Sequence, residues 1–293
     1  MKFPMIDHSF ASRQHINQSS GNCIPIITIV TVVLNGKNFI ESSLKSSLKQ
    51  KYKNIELIII DGGSKDGTLN VLRKFRQSID KCLSSKDQGI YDAMNKGIKI
   101  ARGDWVIFMN SDDVFYDKYV IRNVFQKFKR INNNVAIVYG DTEVFDNQTS
   151  KLVSISPHKA LRELTYRLPI PHQSMFIRRS ALLELGLFDI RYSIAADYDL
   201  TLKILSKYKV IYRKNIIIAK QRVGGVSSNP ANLRKLLNEN SMIRKKHGYS
   251  QFNINWTLSL FRANTRFFLV KIFGKDIAYK LINFAVRFFY FKK

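Results

Sequence analysis

Two adjacent carboxylates follow a strongly apolar stretch of the chain. Residues 105–109 are an unbroken apolar run of strand length, and Asn110-Ser111-Asp112-Asp113 comes directly after it. Such a run is typical of a strand buried on both faces. Neighbouring carboxylates repel each other and lose hydration there unless a cation holds them, and hard divalent ions prefer carboxylate oxygens. The pattern favours a metal site, with a turn of two solvated aspartates as the structural alternative.

Two other apolar runs also lead into acidic residues. Residues 55–60 run into Asp61-Gly62-Gly63, and residues 135–139 run into Gly140-Asp141. In open α/β sheets, ligands bind beyond the carboxyl ends of the strands. We therefore expect three acidic strand ends to line a cleft for a polar, cationic or hydroxylated ligand. The glycines would let the backbone approach that ligand closely, although a plain strand-to-helix turn also explains them.

The elements around these residues alternate between strand and helix. Residues 24–34 are β-branched and apolar, which indicates a first buried strand, and helical spacing follows over residues 39–48. The strand at 55–60 is followed by a second helical pattern over residues 69–75. This order predicts an α/β fold with a mostly parallel sheet and helices across its faces.

Charge and composition limit the environment of the protein. Its 293 residues are 45% hydrophobic, and 48 Lys+Arg against 22 Asp+Glu give a net charge of +26. Such an excess of positive charge favours binding to a polyanion, either nucleic acid or an anionic membrane surface. Cys23 and Cys82 form no metal-ligand or disulfide pattern, which favours a reducing, cytoplasmic setting. We expect neither a signal peptide nor a membrane-spanning helix.

Three segments together resemble a known family. They are DGGSKDGT at 61–68, DQGIYDAMNKG at 87–97 and NSDD at 110–113. In this order they are similar to family 2 glycosyltransferases of the GT-A fold, and the resemblance covers roughly residues 25–228. It implies a Rossmann-like mixed, mostly parallel sheet flanked by helices. We expect a flexible tail at 1–24, the catalytic domain at 25–230 and a further region at 231–293.

The resemblance also implies roles for the acidic residues that would bind a nucleotide-sugar donor. Asp61 would contact the nucleotide base beside Gly62, and Asp87 would line the donor pocket. Asp112 would lie near the ribose, and Asp113 would bind the divalent ion, Mg²⁺ or Mn²⁺, that bridges the diphosphate. Metal charge would then neutralise the leaving group as the sugar–phosphate bond breaks.

On the acceptor side, the resemblance implies a general base at the start of a later helix. Asp197 occupies that place, although the preceding residue is Ala196 where the family carries Glu. A single positioned base implies inversion at the anomeric carbon. Acidic residues in a first helical turn are also favoured electrostatically, so Asp197 and Asp199 have a purely structural explanation, which we prefer for Asp199.

Three further residues are candidates for the site. His172 and Gln173 lie in the acceptor-side stretch, although a lone histidine is often structural. Arg222, with the glycine loop at 224–225, could close over the diphosphate, because arginine suits phosphate oxygens. A solvated surface arginine is the alternative.

The C-terminal region at 231–293 is basic and aromatic, which predicts an amphipathic helical extension. Apolar residues at 277, 281, 284, 288 and 291 share one helical face, with Lys280 and Arg287 at its margin. Aromatics with flanking cations suit a helix lying in an anionic membrane interface. A helix pair packed on the catalytic domain is the alternative.

The sequence thus predicts an inverting, metal-dependent glycosyltransferase with a nucleotide-diphosphate sugar donor, uridine being the favoured base. Its acceptor would be a lipid-linked glycan or polysaccharide at the inner face of the cell membrane. A basic nucleic-acid-binding protein is the rival class, but acidic strand ends would repel phosphates at the cleft, so we expect no nucleic-acid partner. A sugar-nucleotide-binding protein without turnover is a third possibility.

Overall fold

A computed structural model describes residues 24–126, 131–145, 149–222, 224–225, 229, 232–250, 256–257, 261, 265, 268 and 272–274. The chain divides into two compact units. The first comprises Met1–Leu164 and Leu168–Val223, and the second comprises Thr165–Arg167 and Gly224–Lys293. The predicted tail at 1–24 lies almost entirely outside the described residues.

The sheet of the first unit has a parallel half that carries the predicted acidic strand ends. Its strands are β1 (Ile27–Val33), β2 (Ile55–Asp61), β3 (Lys81–Ser84) and β4 (Trp105–Phe108). They lie in the order β3-β2-β1-β4 and all run in one direction. The carboxyl ends of these strands therefore meet at one edge of the sheet.

The other half of the sheet is mixed. Its strands are β5 (Val114–Phe115), β6 (Val135–Phe145), β7 (Ser150–Val153), β8 (Met175–Arg178) and β9 (Lys209–Arg222). The order continues from β4 through β8, β6 and β9 to β5, and β7 pairs with β6. β8 runs antiparallel to both neighbours, whereas β6 and β9 are parallel. The long β9 ends at Arg222, whose backbone N–H reaches Asp113 in the loop after β4.

Helices cover both faces of the sheet. They are α1 (Ile40–Leu48), α2 (Thr68–Lys74), α3 (Ile90–Ile100), α4 (Val120–Phe125), α5 (Pro157–Leu164), α6 (Arg179–Glu184) and α7 (Ala196–Lys207), with α8 (Leu233–Lys246) in the second unit. A short 3₁₀ turn, His172–Ser174, leads into β8. Alternate side chains of β1 face opposite helical layers, so its side chains are buried on both faces.

The close approach of α3 to the sheet depends on one glycine. A Cβ at Gly97 would lie 2.5 Å from the Cγ1 atom of Val30 and 3.5 Å from Ile60. Contacts shorter than about 3 Å between carbon atoms are repulsive, so a larger residue would push α3 away from β1 and β2. Gly97 thus fixes the depth at which α3 lies, and with it the position of residues at the start of that helix.

The fold class inferred from sequence is confirmed, but one strand end is not where we expected it. Strand β6 does not stop at Tyr139: it continues past Gly140 and Asp141 through register shifts against β9. Asp141 is therefore internal to the strand, 2% exposed, and accepts a hydrogen bond of 2.7 Å from the Tyr212 hydroxyl. Only β2 and β4, among the described strands, deliver the carboxylates predicted for the cleft.

The second unit contains α8 and a few described residues near it. Arg244 is fully buried, its Nε donates to the Thr165 carbonyl at 2.9 Å, and its guanidinium lies 4.9 Å from the Trp256 ring centre. Leu237 and Trp256 pack with Tyr166 into a small apolar cluster. Within the described part of the chain, no helix combines the length and apolarity needed to cross a bilayer. The predicted helical face at 277–291 lies outside the described residues.

Candidate active site

The loop after β4 buries one of its two carboxylates. Asp113 is 2% exposed, whereas Asp112 is half-buried. The Gln173 amide nitrogen donates to Asp113 Oδ2 at 2.7 Å, and the backbone N–H of Arg222 donates to Oδ1 at 3.1 Å. Burial, reinforced by the charge of Asp112, raises the pKa of Asp113 to about 6. A bound cation would offset this cost of holding the carboxylate charged.

On the opposite side of β1, two loops are joined by hydrogen bonds. The backbone N–H of Asn35 donates to Ser64 Oγ at 2.7 Å, and the Asn35 side chain accepts from the Lys65 N–H at 2.9 Å. The N–H of Gly36 donates to Thr68 Oγ1 at 2.9 Å. These bonds tie the loop after β1 to the loop after β2 along the carboxyl edge of the sheet.

Asp61 shapes the second of these loops. Its carboxylate is fully buried and accepts hydrogen bonds from the N–H groups of Gly63 and Ser64, both 3.1 Å from Oδ2, and from the Ser84 hydroxyl at 2.7 Å. Together with burial, its charge raises the pKa of the nearby Cys82 thiol to about 11. The contact of Asp61 with a nucleotide base stays a prediction.

Gly62 and Asp87, both predicted to lie in the donor pocket, are in direct contact. A Cβ at Gly62 would lie 2.4 Å from Asp87 Oδ2, so a larger residue there would require the Asp87 carboxylate to move. The other oxygen of Asp87 accepts a hydrogen bond of 3.0 Å from the Gly89 N–H. The segment that opens α3 thus lies next to the loop after β2.

The predicted base lies at the start of α7, in its first turn. Asp197 is half-buried, and its Oδ2 lies 3.6 Å from Nδ1 of His172. Its Oδ1 accepts a hydrogen bond from the Tyr198 N–H at 2.9 Å and lies 3.2 Å from the Tyr91 hydroxyl, whose one proton is shared with the Ile194 carbonyl oxygen at 2.7 Å. On its other side, the imidazole of His172 lies 3.1 Å from the Asn110 amide nitrogen. Asp199, in contrast, is fully buried and pairs with Lys203 at 3.0 Å.

Arg222 ends β9 beside the same loop. Its backbone binds Asp113, and its guanidinium lies between two aromatic rings, 5.2 Å from the centre of Phe39 and 4.9 Å from that of Phe145. Stacking of this kind holds a guanidinium by cation–π attraction while keeping its charge. Its predicted closure over a diphosphate stays a prediction, and Val223 and 226–228 lie outside the described residues.

The structure brings most of the predicted residues to one edge of the sheet. His172 contacts the Asp197 carboxylate, and the next residue, Gln173, contacts the Asp113 carboxylate. One 3₁₀ turn therefore connects these two carboxylates. Gln173, expected on the acceptor side, is 2% exposed, and its amide is committed to Asp113. Tyr91 was not assigned a role from sequence. Nothing in its spacing indicates a partner 106 residues away.

Within the described chain, no group of three or more His, Cys, Asp or Glu side chains is arranged to hold a metal ion. Mg²⁺ in phosphate-transfer sites needs fewer, because it binds one or two carboxylates together with substrate phosphates. Asp112 and Asp113 fit that donor set. The buried acceptor oxygens of Asn110 and Gln173 have no hydrogen-bond partner within the described residues, which leaves the site rich in unpaired oxygen.

This sheet, with an acidic loop after β4 and an acidic start of α7, defines a GT-A fold. Solved GT-A structures superpose on it. The mannosyltransferase PcManGT of Pyrobaculum calidifontis, solved with GDP-Man and Mn²⁺, aligns over 94% of this chain and 84% of its own, with TM-score 0.63 and 16% identity. S. aureus TarS 1-349 in complex with UDP aligns over 74% of this chain with TM-score 0.55 and 16% identity, and this chain covers 65% of that one.

A family model described as glycosyl transferase family 2 matches residues 28–186, more than half of the chain. The protein therefore belongs to glycosyl transferase family 2. A PGL/p-HBAD biosynthesis glycosyltransferase of Mycobacterium bovis is 28% identical over 209 residues, which are 70% of this chain and 80% of the relative. An uncharacterized glycosyltransferase of Rickettsia felis is 30% identical over 205 residues, 66% of this chain and 34% of that protein.

Proposed function

We propose that the protein is an inverting, metal-dependent glycosyltransferase that moves a sugar from a nucleotide-diphosphate donor to an alcohol. One observation carries the proposal: His172 and Gln173, neighbours in one turn, contact the carboxylates assigned to the base and to the metal. The two chemical functions that transfer requires thus lie within reach of one bound sugar.

In the transfer step, Asp197 Oδ2 takes the proton of the acceptor hydroxyl. The acceptor oxygen forms a bond to the anomeric carbon while the bond from that carbon to the diphosphate oxygen breaks. The electron pair leaves with the nucleoside diphosphate, so the configuration at the anomeric carbon inverts. Asp197 suits this role because it is half-buried and its Oδ1 already accepts the Tyr198 N–H and has the Tyr91 hydroxyl nearby.

Asp113, assisted by Asp112, would hold Mg²⁺ or Mn²⁺ together with the donor diphosphate. When bound, the ion supplies positive charge to the leaving group. Asp61, Gly62 and Asp87 hold the loops that receive the nucleoside, with uridine as the proposed base. Arg222 lies beside Asp113, where its guanidinium can meet phosphate oxygens.

Binding of nucleotides tests the donor assignment without a known acceptor. A ligand that binds only the folded protein raises its melting temperature by mass action. We expect UDP with Mn²⁺ to raise the melting temperature by several degrees, and UDP or Mn²⁺ alone to raise it less. Thermal melts with UDP, GDP, ADP and CDP, each with and without Mn²⁺, measure this. A larger shift with GDP would correct the base, and no shift with any of them would contradict the proposed donor.

The acceptor we propose is a lipid-linked or polysaccharide glycan at an anionic membrane surface. We also propose that the C-terminal region binds this membrane surface peripherally. Residues 231–293 contain 13 lysines and arginines against two acidic residues. Three described helical positions expose large apolar side chains at helical spacing: Phe261 (70%), Phe268 (62%) and Ile272 (54%). Apolar side chains on one helical face, in a basic segment, suit the interface of an anionic bilayer.

Sedimentation with vesicles tests this association. We expect the protein to sediment with phosphatidylglycerol-containing vesicles and to stay in the supernatant with pure phosphatidylcholine. Replacing Phe261 and Phe268 together by Ser should reduce the bound fraction about tenfold, because two exposed aromatic side chains no longer enter the interface. Leu161→Ser, at a residue 64% exposed in the first unit, is the matched control and should bind as the parent does. Retention on heparin or DNA at physiological salt, without vesicle binding, would favour the nucleic-acid-binding class instead.

A further inference from the structure

Tyr91 connects the donor-side helix α3 to the predicted base. Its ring is 6% exposed and packs on Phe188, with ring centres 5.2 Å apart. Its hydroxyl lies 2.7 Å from the Ile194 carbonyl oxygen and 3.2 Å from Asp197 Oδ1, so its one proton is shared between these two acceptors. A side chain from the segment that opens with Asp87 thus reaches the carboxylate at the start of α7.

The contacts of Asp197 are unevenly divided between its two oxygens. Oδ1 is within hydrogen-bond distance of both the Tyr198 N–H and the Tyr91 hydroxyl, whereas Oδ2 has His172 Nδ1 at 3.6 Å. Rotation of a carboxylate about its last bond is soft, so donors on one oxygen are what fixes its orientation. The Tyr198 bond is local to the helix start, and the Tyr91 bond comes from outside it.

We propose that Tyr91 is a positioning residue for the general base. Its hydroxyl holds Oδ1, so that Oδ2, the oxygen that remains on the His172 side, faces the acceptor hydroxyl. This inference rests on the proposed function, in which Asp197 takes the acceptor proton. It means that Tyr91, a residue of the donor-side segment, affects the acceptor half of the reaction.

A purely structural role for Tyr91 predicts something different. The Ile194 contact anchors the segment before α7, and Asn95 anchors the same segment through two hydrogen bonds with the Phe188 backbone, at 2.9 and 3.0 Å. If anchoring were the only function of the Tyr91 hydroxyl, its removal would resemble the loss of the Asn95 amide. The two roles can therefore be separated by comparing these positions.

Tyr91→Phe removes the hydroxyl and keeps the ring on Phe188. We expect kcat for transfer to fall about tenfold, with the KM for the donor and the melting temperature nearly unchanged, because one charge-assisted hydrogen bond that orients the base is lost. Asn95→Ala should instead lower the melting temperature with a smaller loss of kcat. Tyr139→Phe, which removes a buried hydroxyl bonded to the Ile155 carbonyl at 3.0 Å, is the matched control. A Tyr91→Phe enzyme with parental kcat would overturn the inference.

A double-mutant cycle with Asp197→Asn supplies the second readout. If Tyr91 acts through the carboxylate, adding Tyr91→Phe to Asp197→Asn should not lower the residual transfer further, because the group it orients is already disabled. An additional tenfold loss would mean that Tyr91 acts independently of Asp197, and the inference would be wrong. If Asp197→Asn alone kept full activity, the proposed function itself would fail, which is a distinguishable outcome.

Discussion

Asp197→Asn should reduce transfer by roughly a thousandfold while leaving nucleotide binding unchanged. Asparagine has nearly the same shape and can still accept the Tyr198 N–H bond, but it cannot take a proton from the acceptor hydroxyl. General base catalysis of this kind contributes about 10²–10⁴ in rate. Transfer to the acceptor and the UDP-induced shift in melting temperature, measured on the same preparation, test both halves of the prediction.

Asp199→Asn is the control for this result. Both residues lie in the first turn of α7, so a purely electrostatic contribution to the helix start would make the two variants lose activity alike. We expect the Asp199 variant to lose stability, since its buried carboxylate pairs with Lys203, and to retain much more transfer. An unchanged biological activity of the Asp197 variant, together with no transfer by the parent protein, would favour a sugar-nucleotide-binding protein without turnover.

Asp113→Asn should abolish metal-dependent transfer, and removal of divalent ions with EDTA should have the same effect on the parent enzyme. The amide is a much weaker ligand for a hard cation than the carboxylate, so the charge on the leaving group is no longer offset. We expect a loss of about a thousandfold or more in kcat/KM, comparable to the loss of other strong electrostatic stabilisation. Activity titrated with MnCl₂ after EDTA treatment measures it.

The melting temperature of the Asp113→Asn variant distinguishes loss of the metal ligand from misfolding. Burial and the charge of Asp112 raise the pKa of Asp113 to about 6, so at neutral pH the metal-free carboxylate is charged in surroundings that disfavour the charge. Neutral asparagine removes that cost, and the metal-free variant should melt no lower than the parent. Asp117→Asn, at an exposed residue just after β5, is the matched control and should keep its activity. Transfer by the Asp113 variant at the parental rate would contradict a role for the metal in the mechanism.

The apolar strands of the parallel half could be read from sequence because each is buried on both faces. Continuous apolar runs gave β1, β2 and β4 to within three residues at each end, together with the acidic residues at the ends of β2 and β4. Strand β3 was not predicted, since Lys81–Ser84 has only two apolar residues, flanked by polar ones, at a half-buried sheet edge. Such a short segment has too little apolar periodicity to distinguish it from a loop.

In the mixed half of the sheet, the strand ends were not predicted correctly from the sequence. Gly140 suggested a turn, but it instead permits close passage of β9, since a Cβ there would lie 2.4 Å from the Ile216 carbonyl oxygen. Glycine within a strand marks close backbone approach as well as termination, and local sequence does not separate the two. The contact of Tyr91 with Asp197 could not be predicted either, because it depends on how the fold places α3 and α7 relative to each other.

Under the proposed role of these loops in binding the nucleoside, the hydrogen bonds that join the loops after β1 and β2 have a consequence for engineering donor preference. Asn35 binds both Ser64 and Lys65, and Gly36 binds Thr68, so neither loop has an independent shape. Transplanting one loop from a relative with a different nucleotide preference would leave several backbone groups of the other without their acceptors. The two loops therefore act as one structural unit, and a change of donor specificity requires that both loops be exchanged together.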